Sequence, residues 1–311
     1  DLKKNNRELL DLEKKITFFH AKIIKDLDKY EEMLIGFHGQ TIYHNSEEKI
    51  SKQLGNGKLL NQLTKKKIIF NFRKNDILND GEGAPLAPIF HQLIVAKHSI
   101  ETPVCLLNIG GISNLTVIID KFDNQKLFSR DLGPGNCLID NWIRNSSKFK
   151  YDSNGKFAET GELNDIILEQ AQELYANRIN KEKLSFDVND FDISFARGLS
   201  LKDGAATLTQ FTAEIISERI SFYLSKLNCN PRNILLCGGG RKNKFLIKKI
   251  KNLIPINLKL NSVDDLNVNG DFIESQAFGY IAIRSYKNLP ITFPNTTGCK
   301  MPCSGGEIIE N

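Results

Sequence analysis

An α/β architecture built around two separate cores is predicted by three features of the sequence. Apolar runs of strand length, such as Asn233-Ile234-Leu235-Leu236-Cys237, alternate with stretches whose apolar residues recur at steps of three and four. Buried-strand runs stop at glycine turns, Gly110-Gly111 and Gly238-Gly239-Gly240. At 311 residues and 41% hydrophobic content, the chain exceeds the size that one core usually fills, about 250–300 residues.

The elements follow in order. Residues 7–30 read as an amphipathic helix, with Leu9, Leu10, Leu12, Ile16, Phe19, Ile23, Ile24 and Leu27 on its apolar face. Strands are expected at Met33–Gly36 and Lys67–Phe72; the second runs into Asp80-Gly81-Glu82-Gly83-Ala84-Pro85, whose Gly and Pro content forbids regular structure. Residues 85–98 look helical. Val104–Leu107 and Leu115–Ile119 then flank Gly110-Gly111 as a hairpin, where glycine frees the backbone for a tight turn. The strand Lys126–Ser129 delivers Asp131 to Gly133-Pro134-Gly135-Asn136, putting Asp131 where a strand ends and a helix over 137–144 begins. A helix over 208–227, the strand 233–237 and a helix opening near Asn243 follow. Asp271-Phe272-Ile273-Glu274 has the spacing of a capping box, so Glu274 reads as structural. No internal repeat or low-complexity linker interrupts the chain.

Composition narrows the function classes. No run of 18 apolar residues appears and the start is charged, so a soluble, non-secreted protein is expected. The first residue is Asp, and the sequence reads as having lost its true beginning. Of six cysteines only Cys299 and Cys303 lie close together, with no His or second Cys pair beside them; buried free thiols are expected rather than zinc, and no protein-held metal ion. The net charge of +5 comes from lysines interleaved with acids, Lys65-Lys66-Lys67 being the longest basic run. That is a solvated surface, not a nucleic-acid stripe.

Four constellations could carry chemistry. Gly238-Gly239-Gly240 joins a strand to a helix start, where absent side chains and free N–H donors suit a phosphate; a plain connecting turn is the other reading. The Asn108-Ile109-Gly110-Gly111 turn repeats that logic. Asp131 suits a general base held rigidly at a cleft edge, or equally a cap for the next helix. Phe37-His38-Gly39-Gln40-Thr41 gathers donors and acceptors fit for sugar hydroxyls, unless His38 is a satisfied core residue.

Five motifs in order then carry a family resemblance: Gly36-Phe37-His38-Gly39-Gln40-Thr41, Arg73 with Asp76 and Gly83-Ala84-Pro85-Leu86, Asn108 through Thr116, Asp131-Leu132-Gly133-Pro134-Gly135-Asn136, and Cys237-Gly238-Gly239-Gly240. With Thr207-Leu208-Thr209, Gly270–Phe278 and Thr297-Gly298, the sequence resembles the anhydro-N-acetylmuramic acid kinase family over nearly its whole length. The resemblance implies a two-lobed actin-like ATPase (ribonuclease H-like) fold with the active site in the interlobe cleft. The expected division is 1–103 for the first lobe, 104–284 for the second, and 285–311 returning to the first.

It further implies that ATP and water open the 1,6-anhydro ring of anhydro-N-acetylmuramic acid to give N-acetylmuramic acid 6-phosphate, in cytoplasmic recycling of cell-wall sugar. Asp131 is then the base that deprotonates water, with Mg²⁺ on the phosphates. Sugar contacts are expected from His38, Gly39, Gln40, Thr41, Arg73, Asp76, Gly83, Ala84, Pro85 and Asn136. Nucleotide contacts are expected from Asn108, Gly110, Gly111, Gly133, Gly238, Gly239, Gly240 and Asn243. A homodimer is implied, with neither nucleic acid nor membrane as partner. A non-catalytic sugar- or nucleotide-binding descendant and another sugar kinase of the superfamily are the alternatives. Asn71 stands where the family usually has Asp, Leu132 where Thr is common, and Asp80 where it has Gly. The family's first hairpin carries a Gly-Thr-Ser-Met-Asp-Gly-like phosphate motif found nowhere in this chain, so the first lobe is expected to be incomplete, with an exposed sheet edge.

Overall fold

The structure, a computed structural model, describes residues 7–27, 34–45, 48–179 and 185–310, with backbone only at 177–179. The chain divides into two compact units, one running to Ile94 and resuming at Glu274, the other spanning Val95–Ile273. These limits differ from the expected 103/104 and 284/285, because residues from Glu274 onward pack within the first unit. Gly36 there lies so near the Phe278 carbonyl that a Cβ would come within 2.5 Å of it.

In the first unit, helix α1 (Arg7–Asp26) buries only Thr17, Ala21 and Ile24. Leu10, Leu12, Phe19, Ile23 and Leu27, which the apolar pattern pointed inward, are exposed. The covered stripe is anchored by polar bonds, Thr17 Oγ1 donating to the Glu13 carbonyl (2.8 Å) and accepting from Asn56 N (3.0 Å). Residues 28–30 of the expected helix and Met33 of the expected strand lie outside the described residues.

Strand β1 (Leu34–Gly36) is followed by a hairpin of β2 (Gln40–Asn45) and β3 (Ile50–Leu54), helix α2 (Gly57–Thr64), β4 (Lys67–Phe70), α3 (Lys74–Leu78) and α4 (Pro88–Lys97). β4 stops two residues before the expected end because Asn71 enters the left-handed region, φ 56°. Asn tolerates that conformation better than most residues, so the departure from the family's Asp sits in a turn. The β1–β4 pair is parallel.

The second unit is organised by the hairpin β5 (Val104–Ile109) and β6 (Ile112–Ile118), then β7 (Leu127–Pro134). Helices α5 (Cys137–Ser146), α6 (Lys156–Glu159), α7 (Asp165–Ile179) and α8 (Leu201–Lys226) follow, then β8 (Asn233–Cys237), α9 (Lys244–Leu253) and β9 (Lys259–Ser262). The sheet runs β7-β6-β5-β8-β9, antiparallel through β5, β6 and β7 and parallel from β5 to β9. A three-stranded meander joined to parallel strands is the ribonuclease H-like arrangement, so the α/β expectation holds. Val104, Cys105, Leu106 and Leu107 are wholly buried, as a strand covered on both faces requires.

α8 begins seven residues earlier than the apolar pattern suggested, because Ser200 caps it: its hydroxyl accepts from Asp203 N (3.2 Å) and donates to the Asp203 carboxylate (2.7 Å). Gly204 weakens the helix locally but lets Trp142 lie flush on it; a Cβ there would be 2.2 Å from the indole.

The chain returns to the first unit with α10 (Ile273–Tyr286), α11 (Pro294–Thr297) and β10 (Glu307–Ile309), which pairs antiparallel with β4. The expected capping box is not formed by Asp271. α10 starts at Ile273, and the Asp271 carboxylate is bonded by Arg241 (2.8 Å) and Lys242 (2.5 Å).

Candidate active site

Asp131 lies inside β7, not at its end, since β7 continues to Pro134. The ladder slips there: Asn114 faces Asp131 and Ser113 faces Gly133, leaving Leu132 as the extra residue of a bulge. Leu132 is wholly buried in the apolar core, which explains how Leu is accommodated where Thr is common. The Asp131 side chain is 9% exposed, and its Oδ2 accepts from Phe186 N at 2.8 Å. It does not cap the following helix, whose N-cap is Asn136.

The Gly133–Asn136 segment is strapped to the β5–β6 turn. Gly135 N donates to the Gly111 carbonyl (2.8 Å), Asn136 N to that of Gly110 (2.7 Å), and Ser113 Oγ to that of Gly133 (3.1 Å). A Cβ on Gly135 would come within 2.4 Å of the Gly110 oxygen, so only glycine fits. Asn136 spends its amide nitrogen on the Ile109 and Gly110 carbonyls (3.2 and 3.1 Å), shaping this strap.

Beside it, β8 pairs with β5 so that Cys237 faces Asn108, and Gly238 follows with φ 76°. A Cβ on Gly238 would meet Asn108 Oδ1 at 2.3 Å, and one on Gly240 would meet Ile109 Cγ2 at 2.2 Å. At Gly239 nothing lies within 4 Å. The loop is thus closed on one side and open at its middle residue. Asn243, after the loop, caps α9: its Oδ1 accepts from Leu246 N (3.0 Å).

Arg241, passed over in the sequence, fastens this loop. Its side chain, 5% exposed, donates to the Gly238 carbonyl (2.9 Å), to both Asp264 oxygens (2.7 and 3.1 Å) and to Asp271. The guanidinium bonds hold the Asp264 carboxyl well below the usual carboxylate range. Its position directly after three glycines was the available signal.

In the first unit, four of the expected sugar-side residues converge. Arg73 Nη1 donates to the Gly83 carbonyl (2.8 Å) while Asp76 Oδ2 accepts from Gly83 N (2.6 Å), so the peptide units on either side of Gly83 are both held. Arg73 Nε donates to His38 Nε2 (3.1 Å), and His38 Nδ1 lies 3.0 Å from the Gly39 carbonyl, assigning the proton to Nδ1. Asp76, 1% exposed, also accepts from Thr297 Oγ1 (2.6 Å). His38, Arg73 and Asp76 thereby shape the Gly83-Ala84-Pro85 loop. Gln40 and Thr41, by contrast, are exposed.

Burial and the Arg73 charge push His38 down to about 4, and burial pushes His91 of α4 down to about 4. Both are neutral in the fold, whereas an unfolded histidine titrates near 6.5. As pH falls from 6.5 toward 4, the unfolded chain gains protons that the folded one refuses. Stability then declines by up to about 1.4 kcal/mol per pH unit for each histidine. Asp140, pushed up to about 6 by burial, takes its proton in the folded state first and opposes this in part. The urea midpoint is expected to be lower at pH 5 than at pH 7, and less so in His91→Gln; an unchanged slope in that variant would contradict the assignment.

A profile of the anhydro-N-acetylmuramic acid kinase family matches residues 7–311. The chain is 50% identical to the anhydro-N-acetylmuramic acid kinase of Pelagibacter ubique (strain HTCC1062), over 100% of this chain and 84% of that protein. It is 36% identical to the enzyme of that name from Zymomonas mobilis subsp. mobilis, over 94% of this chain and 79% of the other. Among solved structures it is similar to the activator of 2-hydroxyisocaproyl-CoA dehydratase from Clostridium difficile with bound ADPNP. That similarity is 14% identity over 64% of this chain and 68% of that one, with a TM-score of 0.36, too low to bear on function. By the profile match and these relatives, the chain belongs to the anhydro-N-acetylmuramic acid kinase family.

Proposed function

We propose that this protein uses ATP and water to open the 1,6-anhydro ring of anhydro-N-acetylmuramic acid and to phosphorylate the freed 6-oxygen, giving N-acetylmuramic acid 6-phosphate. The observation that carries this reading is the 50% identity over the whole chain to a kinase named for that substrate. Asp131 accepts a proton from water as the water oxygen bonds to the anomeric carbon. The C1–O6 bond breaks, its electron pair stays on O6, and O6 bonds to the γ-phosphorus as ADP leaves. The Phe186 N–H bond fixes the carboxylate for that task.

The Gly110-Gly111 turn, whose Gly110 N–H is taken up by the Ile112 carbonyl (3.2 Å), and the Gly238–Gly240 loop line the phosphates in this reading, and the open space at Gly239 is what a close-approaching nucleotide needs. Mg²⁺ supplies charge neutralisation during the transfer. A Mg²⁺ ion would be held by phosphate oxygens and water, as this hard ion prefers, and not by the thiol-containing Asp76, Cys299 and Cys303 group. On the sugar side, Gln40 and Thr41 offer exposed donors and acceptors, and the Gly83-Ala84-Pro85 loop offers a backbone held rigid by Arg73 and Asp76. The reading carries with it a cytoplasmic place in cell-wall sugar recycling and a homodimeric form; no described helix is long and apolar enough to cross a membrane.

The test is ADP release by the full-length gene product with Mg-ATP and a panel of sugars, run in heavy-oxygen water. Turnover on anhydro-N-acetylmuramic acid, with heavy oxygen on C1 of the product, is expected. Phosphorylation of another sugar alone would reassign it to a different sugar kinase, and sugar binding without any ADP release would make it a non-catalytic binder.

A further inference from the structure

We infer that Asp76, Cys299 and Cys303 form a binding site for one thiophilic divalent cation of the zinc class. The site lies within the first unit and shares Asp76 with the support of the Gly83-Ala84-Pro85 loop. One carboxylate oxygen and the two Sγ atoms lie within 4.8 Å of one another. Around a single zinc ion such donors stand roughly 3.5–4 Å apart, from Zn–S ~2.3 Å and Zn–O ~2.1 Å. Small side-chain shifts therefore bring the three donors onto one ion, with the fourth tetrahedral position left to water or another small ligand.

Two further observations distinguish it from ordinary buried thiols. Asp76 is 1% exposed, Cys299 1% and Cys303 4%, so all three donors are withdrawn from water together. The Asp76 carboxylate accepts from the Gly83 N–H and the Thr297 hydroxyl, both neutral. A buried carboxylate is costly unless a charge balances it, and a bound cation supplies that balance. Each carboxylate oxygen keeps a spare acceptor position, so the Gly83 and Thr297 bonds survive and orient the ligand, as second partners do in metal sites.

The two thiols touch each other, and Cys303 Sγ also donates to the Met301 carbonyl (3.0 Å) while Cys299 Sγ lies 3.9 Å from Thr292 Oγ1. Two sulfurs exclude a hard ion such as Mg²⁺ or Ca²⁺ as the natural occupant. The ion would clip the turn that Asp76 organises at Gly83 to the 292–303 segment.

The test uses reduced, chelator-treated full-length protein, titrated anaerobically with Cd²⁺. A thiolate-to-cadmium charge-transfer band saturating at one ion per chain is expected, and Zn²⁺ should raise the melting temperature. Both effects should vanish in Cys299→Ser/Cys303→Ser and persist in Cys229→Ser. Asp76→Asn, which retains hydrogen-bonding capacity if it folds, should weaken affinity by ~10-fold or more. The proposal is overturned if the reduced wild type shows no band, or if the band survives in the double serine variant. A Cys299–Cys303 disulfide forming in air while the reduced protein takes up no ion would overturn it equally.

Discussion

Asp131→Asn lowers kcat on anhydro-N-acetylmuramic acid by about 10³-fold, within the 10²- to 10⁴-fold range that a positioned general base contributes. The amide is nearly isosteric and retains an oxygen able to accept from Phe186 N, now at 2.8 Å from Oδ2, so the bulged strand keeps its shape. What it loses is the capacity to take a proton from water. Stability should therefore change by no more than about 1 kcal/mol, and the KM for ATP should stay within about twofold. Steady-state kinetics and urea midpoints on the same preparation check both parts. A folded variant with undiminished kcat would remove Asp131 from the chemistry and leave it as the residue that ties 185–187 to the sheet.

The strand–turn–strand around Gly110-Gly111 and the strand ending at Cys237 were legible because their signals are local: apolar runs bounded by glycine. The placement of Asp131 was half legible. Its neighbourhood in the chain is plain, but the bulge that puts Asp131 opposite Asn114 is set by a cross-strand partner that no local pattern reports. The same limit explains α1, whose apolar residues recur with helical spacing on several sides while only the Thr17, Ala21 and Ile24 stripe is covered. Asn136 and Asn243 read as ligand contacts because polar side chains beside glycines look alike in sequence; the structure engages one in the strap and the other as a helix cap. Asp76 with Cys299 and Cys303, and Arg241 with Asp264, were illegible for one reason. Each joins residues that are distant along the chain, and spacing carries no information about such pairs.

Gly238→Ala and Gly239→Ala are expected to fail in opposite ways. At position 238 the backbone is left-handed, φ 76°, and the new methyl would lie 2.3 Å from Asn108 Oδ1 and 2.7 Å from the Ile109 carbonyl. With φ 76° and ψ 171° the position lies in a region open essentially to glycine, which costs an alanine about 1–3 kcal/mol, and overpacking typically adds about 1–3 kcal/mol, so a loss of roughly 2–6 kcal/mol in urea unfolding is expected. Position 239 has nothing within 4 Å and no left-handed constraint. Its alanine variant should match the wild type in stability to within about 0.5 kcal/mol. If the open face at Gly239 admits the nucleotide, the methyl occupies that space, and the KM for ATP should rise by about tenfold while that for the sugar holds, a split that marks lost nucleotide binding. An unchanged KM for ATP in a stable Gly239→Ala protein would take the Gly238–Gly240 loop out of the nucleotide site and return it to a connection between β8 and α9.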